Sequence, residues 1–216
     1  MEMSMKTMYT RVSLVLFSLV AIINAPALLA AQEFTVQGGL SNISFESDAM
    51  LETITGTTSD VSGTVTTDLT NPSATTATVT VPVASLRTGV DLRDEHLVSG
   101  DWLDAGAHPN ITFAIASVDA PSGATLTHGQ AVTATVAGTL TIKGTSHEVS
   151  VPAQVTFYEV ESADVAGTYG IEGNVLRVTS SFTVLLSDYG INVPGPLRAK
   201  VSNEIGVTIR LTAVQG

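Results

Sequence analysis

Residues 131–143 read AVTATVAGTLTIK, and their alternation decides the fold. Val132, Ala134, Val136, Gly138, Leu140 and Ile142 are apolar or small, and the positions between them are mostly threonine. A period of two held over the whole run is wrong for a helix and predicts a long strand with one buried face. The pattern resumes beyond Gly144-Thr145-Ser146-His147 at Val149, Val151, Ala153, Val155 and Phe157. The two runs predict a hairpin with its turn at 144–147.

The same period continues outward in both directions. Val178, Ser180, Phe182, Val184 and Leu186 form one run, and Val201, Asn203, Ile205, Val207, Ile209, Leu211 and Ala213 form the last. Towards the N-terminus come Ile111-Phe113-Ile115, Ala77-Val79-Val81-Val83, Val61-Gly63-Val65-Leu69, Ile43-Phe45 and Phe34-Val36. Turn clusters such as Asn71-Pro72-Ser73 and Pro121-Ser122-Gly123 separate them. About eight long strands, apolar on one face and Thr/Ser on the other, predict an all-β protein with an eight-stranded antiparallel barrel. A two-sheet sandwich is the rival architecture, and strand length favours the barrel.

One segment breaks the alternation. Residues 85–107 read SLRTGVDLRDEHLVSGDWLDAGA and hold the only tryptophan. Asp91 is placed to cap a short helix over residues 92–97, with Leu92, Leu97 and Val98 turned to the barrel. Ser99-Gly100-Asp101 ends it. The segment reads as a short helical excursion between two strands at one barrel end.

Ahead of the strands, Lys6 and Arg11 precede an apolar run over residues 12–31 with a small-residue exit at Ala30-Ala31. This predicts a cleaved secretory leader over 1–31 and one β-barrel domain over 32–216. No later stretch approaches the ~20 apolar residues of a membrane span, so no transmembrane segment is expected after cleavage. The formal net charge is −11. Loss of Glu2, Lys6 and Arg11 with the leader deepens it to about −12. Such a surface repels nucleic acid and anionic headgroups. With no cysteine, burial supplies the stability, and thiolate metal sites and cysteine nucleophiles are excluded. The four histidines show no metal-ligand spacing and there is no GxSxG motif. No metal, cofactor or catalytic residue is expected.

The excursion carries a family resemblance. Residues 83–89 (VASLRTG), 93–97 (RDEHL), 101–104 (DWLD) and 108–113 (HPNITF) resemble the central motif of the YceI-like family. Residues 138–144 (GTLTIKG) with 149–152, and 187–191 (SDYGI), are similar to two later family segments. The resemblance implies an extended lipocalin-like barrel, export to the periplasm or medium, and a long apolar ligand such as a polyisoprenoid or fatty-acid derivative. It implies a binding protein, not an enzyme. The pattern departs at Leu40, where the family often has histidine, and near Asp48-Ala49-Met50, where a further one is missing.

The small inward residues Gly63, Ala77, Ala134, Gly138 and Ala153 leave volume for such a ligand. The candidate lumen residues are Ile43, Phe45, Val79, Val81, Leu86, Leu97, Phe113, Ile115, Phe157, Phe182 and Val184. Arg93, His96 and Trp102 stand at the mouth. Arg93 and His96 have a structural role as well, pairing with Asp94 or Asp101 to pin the excursion. Trp102 serves as a packing anchor with its N–H bonded to a neighbour. His108 leads into a strand, and His128 and His147 sit in solvated turns. The partner expected is an isoprenoid or fatty-acyl lipid, with assembly as a homodimer left open. Two rival functions carry distinct expectations. A structural or adhesive cell-envelope module would have a filled interior. A lipid enzyme would use His96 with Asp94 or Asp101 as an acid–base pair.

Overall fold

Valine and threonine lose rotamer freedom in helices and fit a pleated, half-buried surface, and the chain follows that preference into ten strands. The computed structural model describes residues 31–160 and 163–216. The predicted leader lies almost wholly outside the described residues. The strands are β1 (Gln32–Val36), β2 (Asn42–Asp48), β3 (Thr53–Thr58), β4 (Ser62–Asp68), β5 (Asn71–Pro82), β6 (Asn110–Asp119), β7 (Ala131–Ile142), β8 (Thr145–Tyr158), β9 (Val175–Leu185) and β10 (Glu204–Gln215).

All pairings between these strands are antiparallel. The ladder runs β1-β4-β5-β6-β7-β8-β9-β10, and β10 pairs back onto β1. The result is a closed eight-stranded barrel. The two extra segments come from broken strands. β10 pairs with β2 over 205–210 and with β1 over 213–215, so β1 and β2 are halves of one barrel strand, split at a 3-10 turn over Gly38–Leu40. β3 and β4 repeat the arrangement, pairing with β2 and β1 respectively.

The structure shifts several predicted boundaries. The β7–β8 turn is the two residues Lys143-Gly144, with φ of 47° and 73°. Both are left-handed, which matches the twist of the flanking strands. His147 therefore lies within β8 rather than in a turn. Asn71-Pro72-Ser73 opens β5, and the turn precedes it. Val201 and Asn203 fall outside β10. Helix α1 (Asp91–Leu97) begins at Asp91, and Val90 occupies the cap position. A second helix, α2 (Ala163–Tyr169), sits between β8 and β9 and is an element that the alternation does not predict.

Two aromatic rings lie over glycines on neighbouring strands. A Cβ on Gly56 would meet the Phe45 ring, and one on Gly138 would clash with the Ala114 carbonyl and sit 3.0 Å from the Phe113 ring. Gly63 likewise abuts the Thr78 carbonyl. The expectation that Gly63 and Gly138 leave lumen volume is thus corrected. They permit close backbone approach, and at Gly138 a phenylalanine ring takes the space.

Gly138→Ala is expected to lower stability by about 1–3 kcal/mol through overpacking. Gly206→Ala, whose new methyl would meet nothing nearer than 3.9 Å, is the control. Urea denaturation of both variants reads the difference, and equal midpoints would show that the close approach carries no weight.

Candidate functional site

The inward faces of the eight strands enclose a cavity of about 570 Å³. Its size falls within the range of small-molecule sites. Alternation supplies the wall: Val132, Ala134, Val136, Leu140 and Ile142 from β7, Val151, Ala153 and Val155 from β8, and Ile205, Val207, Ile209 and Leu211 from β10. In β6 a bulge at Ala116 shifts the register between Ile115 and Ser117. It moves the inward parity from Ile115 to Val118, which rejoins the wall. Phe113, Ile115, Phe182 and Val207 face inward yet are only half-buried, because they border open space.

The two ends differ. One is packed shut by Phe34, Leu126, Phe157 and Leu176, all buried. The β6–β7 loop is drawn across it by the Leu126 N–H, which donates to the Leu69 carbonyl at 2.7 Å. The other end is the mouth. There the Ser85–Ala107 excursion, the β2–β3 turn and the β9–β10 loop surround the opening, and Glu52, Thr88, Val90, Leu92, Arg93, His96, Trp102, Leu197 and Lys200 line it.

Inside the lumen each hydroxyl is already engaged. Thr67 and Thr75 bond each other at 2.6 Å, and Thr75 also reaches the Pro72 carbonyl. Ser180 donates to the Pro152 carbonyl at 2.6 Å, and Ser47 accepts from the Ser202 N–H at 2.9 Å. The wall therefore presents carbon to an occupant, and charged groups come only at the mouth.

Thirteen of the fourteen candidate residues share this one cavity: Ile43, Phe45, Val79, Val81, Leu86, Arg93, His96, Leu97, Trp102, Phe113, Ile115, Phe182 and Val184. Phe157 has the inward parity but lies in the packed end, beyond the cavity. Sequence reasoning missed Glu52, Ile54, Leu103, Leu197 and Lys200. All sit in loops or a short strand without sustained alternation. Leu40, at the departure from the family pattern, is on an exposed turn away from the lumen.

The predicted pinning of the excursion is corrected in its partners. Arg93 pairs with Glu52 at 2.7 Å, across to the β2–β3 turn, and its Nε donates to the Thr88 hydroxyl at 3.0 Å. Asp94 accepts from the Thr88 N–H at 2.7 Å and from the Thr88 hydroxyl. Arg87 completes the seam through paired backbone bonds with Thr57 on β3. His96 is exposed and has no bond to either aspartate among the described residues. Leu92 lines the cavity at the mouth, yet much of its side chain is exposed at the rim. Trp102 packs against the core but its indole N–H finds no partner among the described residues. His147 donates to the Asp188 carbonyl at 2.8 Å and meets the Tyr189 ring edge-on at 5.1 Å. His128 accepts from the Glu159 N–H at 3.0 Å. Among the described residues no three His, Asp or Glu side chains gather as a metal-binding group, and no helix is long and apolar enough to cross a membrane.

The sequence profile of the YceI-like domain matches residues 34–213. A UPF0312 protein of Pseudomonas paraeruginosa is 33% identical over 149 residues, covering 68% of each chain. Another from Ectopseudomonas mendocina is 30% identical over 167 residues, covering 76% of this chain and 82% of the relative. Among solved structures, BcnA of Burkholderia cenocepacia aligns with TM-score 0.66 at 22% identity, over 83% of this chain and 99% of its own. A polyisoprenoid binding domain from Saccharophagus degradans, implicated in plant cell wall breakdown, aligns with TM-score 0.63 at 16% identity, over 85% and 98%. These two structural likenesses show the fold.

The Thr88 hydroxyl holds the Asp94 carboxyl below its ordinary value of 3.8, with smaller help from the Thr88 N–H, Arg87 and Arg93. A folded value below the unfolded one stabilises the excursion fully above the ordinary aspartate range. That contribution is lost as pH falls through the lowered value. Thr88→Val is expected to move the Asp94 titration upward, read by carboxyl-carbon NMR. An unmoved titration would refute the hydroxyl as the main cause.

Proposed function

This chain belongs to the YceI-like family, and on that premise we propose that it is an exported carrier that holds a long amphiphilic lipid in its lumen. The observation that carries the reading is the open apolar cavity of about 570 Å³ inside a closed barrel. Its half-buried inward side chains are the surface an occupant would cover. A polyisoprenoid is the first candidate and a fatty-acid derivative the second. The structural neighbour described as a polyisoprenoid binding domain supports that order. Burying a hydrocarbon chain gains about 0.8 kcal/mol per CH₂, so a few isoprene units bind by apolar contact alone.

The mechanism is uptake and release without covalent change. The hydroxyls deep in the wall are committed to their own partners, which leaves apolar contact as the lumen's business. Arg93, His96 and Lys200 at the mouth are placed to meet a polar end. A structural module with a filled interior fits this cavity poorly. Export rests on the leader over residues 1–31, and the protein is proposed to work in the periplasm or medium.

Native mass spectrometry of the exported protein is expected to show a co-purifying lipid, or uptake of an added prenyl alcohol that displaces an apolar fluorescent probe. Ala153 lines the wall opposite Ala134. Ala153→Trp is expected to weaken probe binding by at least ~10-fold by occupying lumen space. A clean unliganded mass with no uptake would sink the carrier reading. The same spectra give the N-terminus: a chain beginning at or within a few residues of Gln32 is expected, and an intact leader would refute processing.

A further inference from the structure

Among the described residues, most of the large hydrophobic side chains left exposed gather at one place. Met50 is 81% exposed, Leu51 66%, Leu92 62%, Val90 48% and Leu197 39%. They come from three separate loops, all at the mouth. The loops are tied together: the Leu51 N–H donates to the Ala199 carbonyl at 2.8 Å, and Arg93 pairs with Glu52 at 2.7 Å. Val90, Leu92 and Leu197 are exposed on the outside and line the cavity on the inside. The apolar rim is therefore continuous with the lumen wall. Isolated exposed apolar residues need no explanation, but a contiguous apolar rim around an opening does.

We infer that this rim seats the mouth on a zwitterionic lipid bilayer, where the lumen loads and unloads its ligand. The inference rests on the carrier reading. A lipid held by apolar burial leaves a membrane slowly through water, because each CH₂ exposed on the way costs about as much as its burial gains. A mouth placed against the bilayer removes that aqueous step. The charge pattern selects the kind of surface. The chain is acidic overall at −11, which opposes anionic membranes. At the rim the excursion sets Asp91, Asp94, Glu95, Asp101 and Asp104 against Arg87 and Arg93, and Glu52 faces Lys200, so the rim itself adds no attraction for an anionic surface. Long basic side chains there can keep their charges at headgroup level while the aliphatic tips enter the interface. Trp102, the only tryptophan, lies at the same mouth and reports on it.

The test uses the exported, processed protein and vesicles of phosphatidylcholine and phosphatidylethanolamine. The wild type is expected to float with the vesicles and to shift Trp102 emission to the blue. Met50→Asp with Leu51→Asp is expected to cut the floated fraction by at least ~10-fold. Neither residue lines the cavity, so binding of a short soluble apolar probe measured without vesicles should be unchanged. Leu40→Asp, at a residue 53% exposed but away from the mouth, is expected to float as the wild type does. Probe binding without flotation, or flotation indifferent to the double substitution, overturns the docking inference and leaves the carrier reading standing. A dimer in light scattering that the double variant splits, with no flotation, assigns the rim to a second copy and also overturns it. Failure of the probe to bind at all strikes the carrier reading instead.

Discussion

β10 is hydrogen-bonded along both edges, to β9 over residues 204–214 on one side and to β2 and β1 on the other. Because this one strand joins the end of the ladder to its beginning, the sheet has an inside. Closure removes the exposed edges that an open sheet of this length would present. It also turns a simple period of two into a division between lumen and solvent. Eight strands give an interior just wide enough for side chains to fill or for one small ligand to occupy. Side-chain size at the inward positions then decides between the two outcomes. Here Ala77, Ala134 and Ala153 put small side chains on the wall, and space is left.

The ring is used asymmetrically. At one end Phe34, Phe157 and Leu176 are almost wholly buried and close the barrel as an ordinary core would. At the other, the first two barrel strands are broken, and the β2–β3 hairpin pairs in the sheet with β10, its far edge met at Thr57 by Arg87. The excursion fills that gap. Its polar hold on the hairpin is one half-exposed ion pair, a pair of backbone bonds and the Thr58–Ser85 hydroxyl bond at 2.8 Å. An ion pair so exposed contributes little to stability, so the seam between the cover and the hairpin is weakly held. A site that must admit and release a bulky chain is drawn from such low-stability regions.

The sequence made the barrel wall legible because alternation is a local signal. Val132 to Ile142 apart from Gly138, Val151 to Val155 and Val207 to Leu211 line the cavity as their parity predicts. What stayed hidden needs partners distant in the chain. The bulge at Ala116 carries no residue-type signature, yet it decides that Val118 faces inward. Glu52 became the partner of Arg93 because a hairpin turn 41 residues away is brought beside α1, whereas Asp94 is adjacent in sequence. Gly138 read as empty volume because the ring of Phe113 comes from the neighbouring strand. Phe157 kept the right parity and lost the site to depth along the barrel, which a period of two does not encode.

The hollow interior sets a conflict that the rest of the chain must absorb. With no cysteine there is no covalent staple, and an unfilled apolar cavity forgoes the contacts that a packed core would make. Larger side chains at Ala134 and Ala153 would recover those contacts and abolish the capacity. Stability is instead drawn from a sheet whose ladder closes on itself and from the packed closed end. On the carrier reading proposed above, an apolar occupant would serve as the missing part of the core. Anything that binds the folded state alone stabilises it, so a loaded barrel is more stable than an empty one. On that reading the choice of small residues at the wall would tie stability to cargo. The same economy explains the burial pattern of β6, a central strand whose inward residues are all left half-buried. They border the cavity, and the proposed occupant is what would cover them.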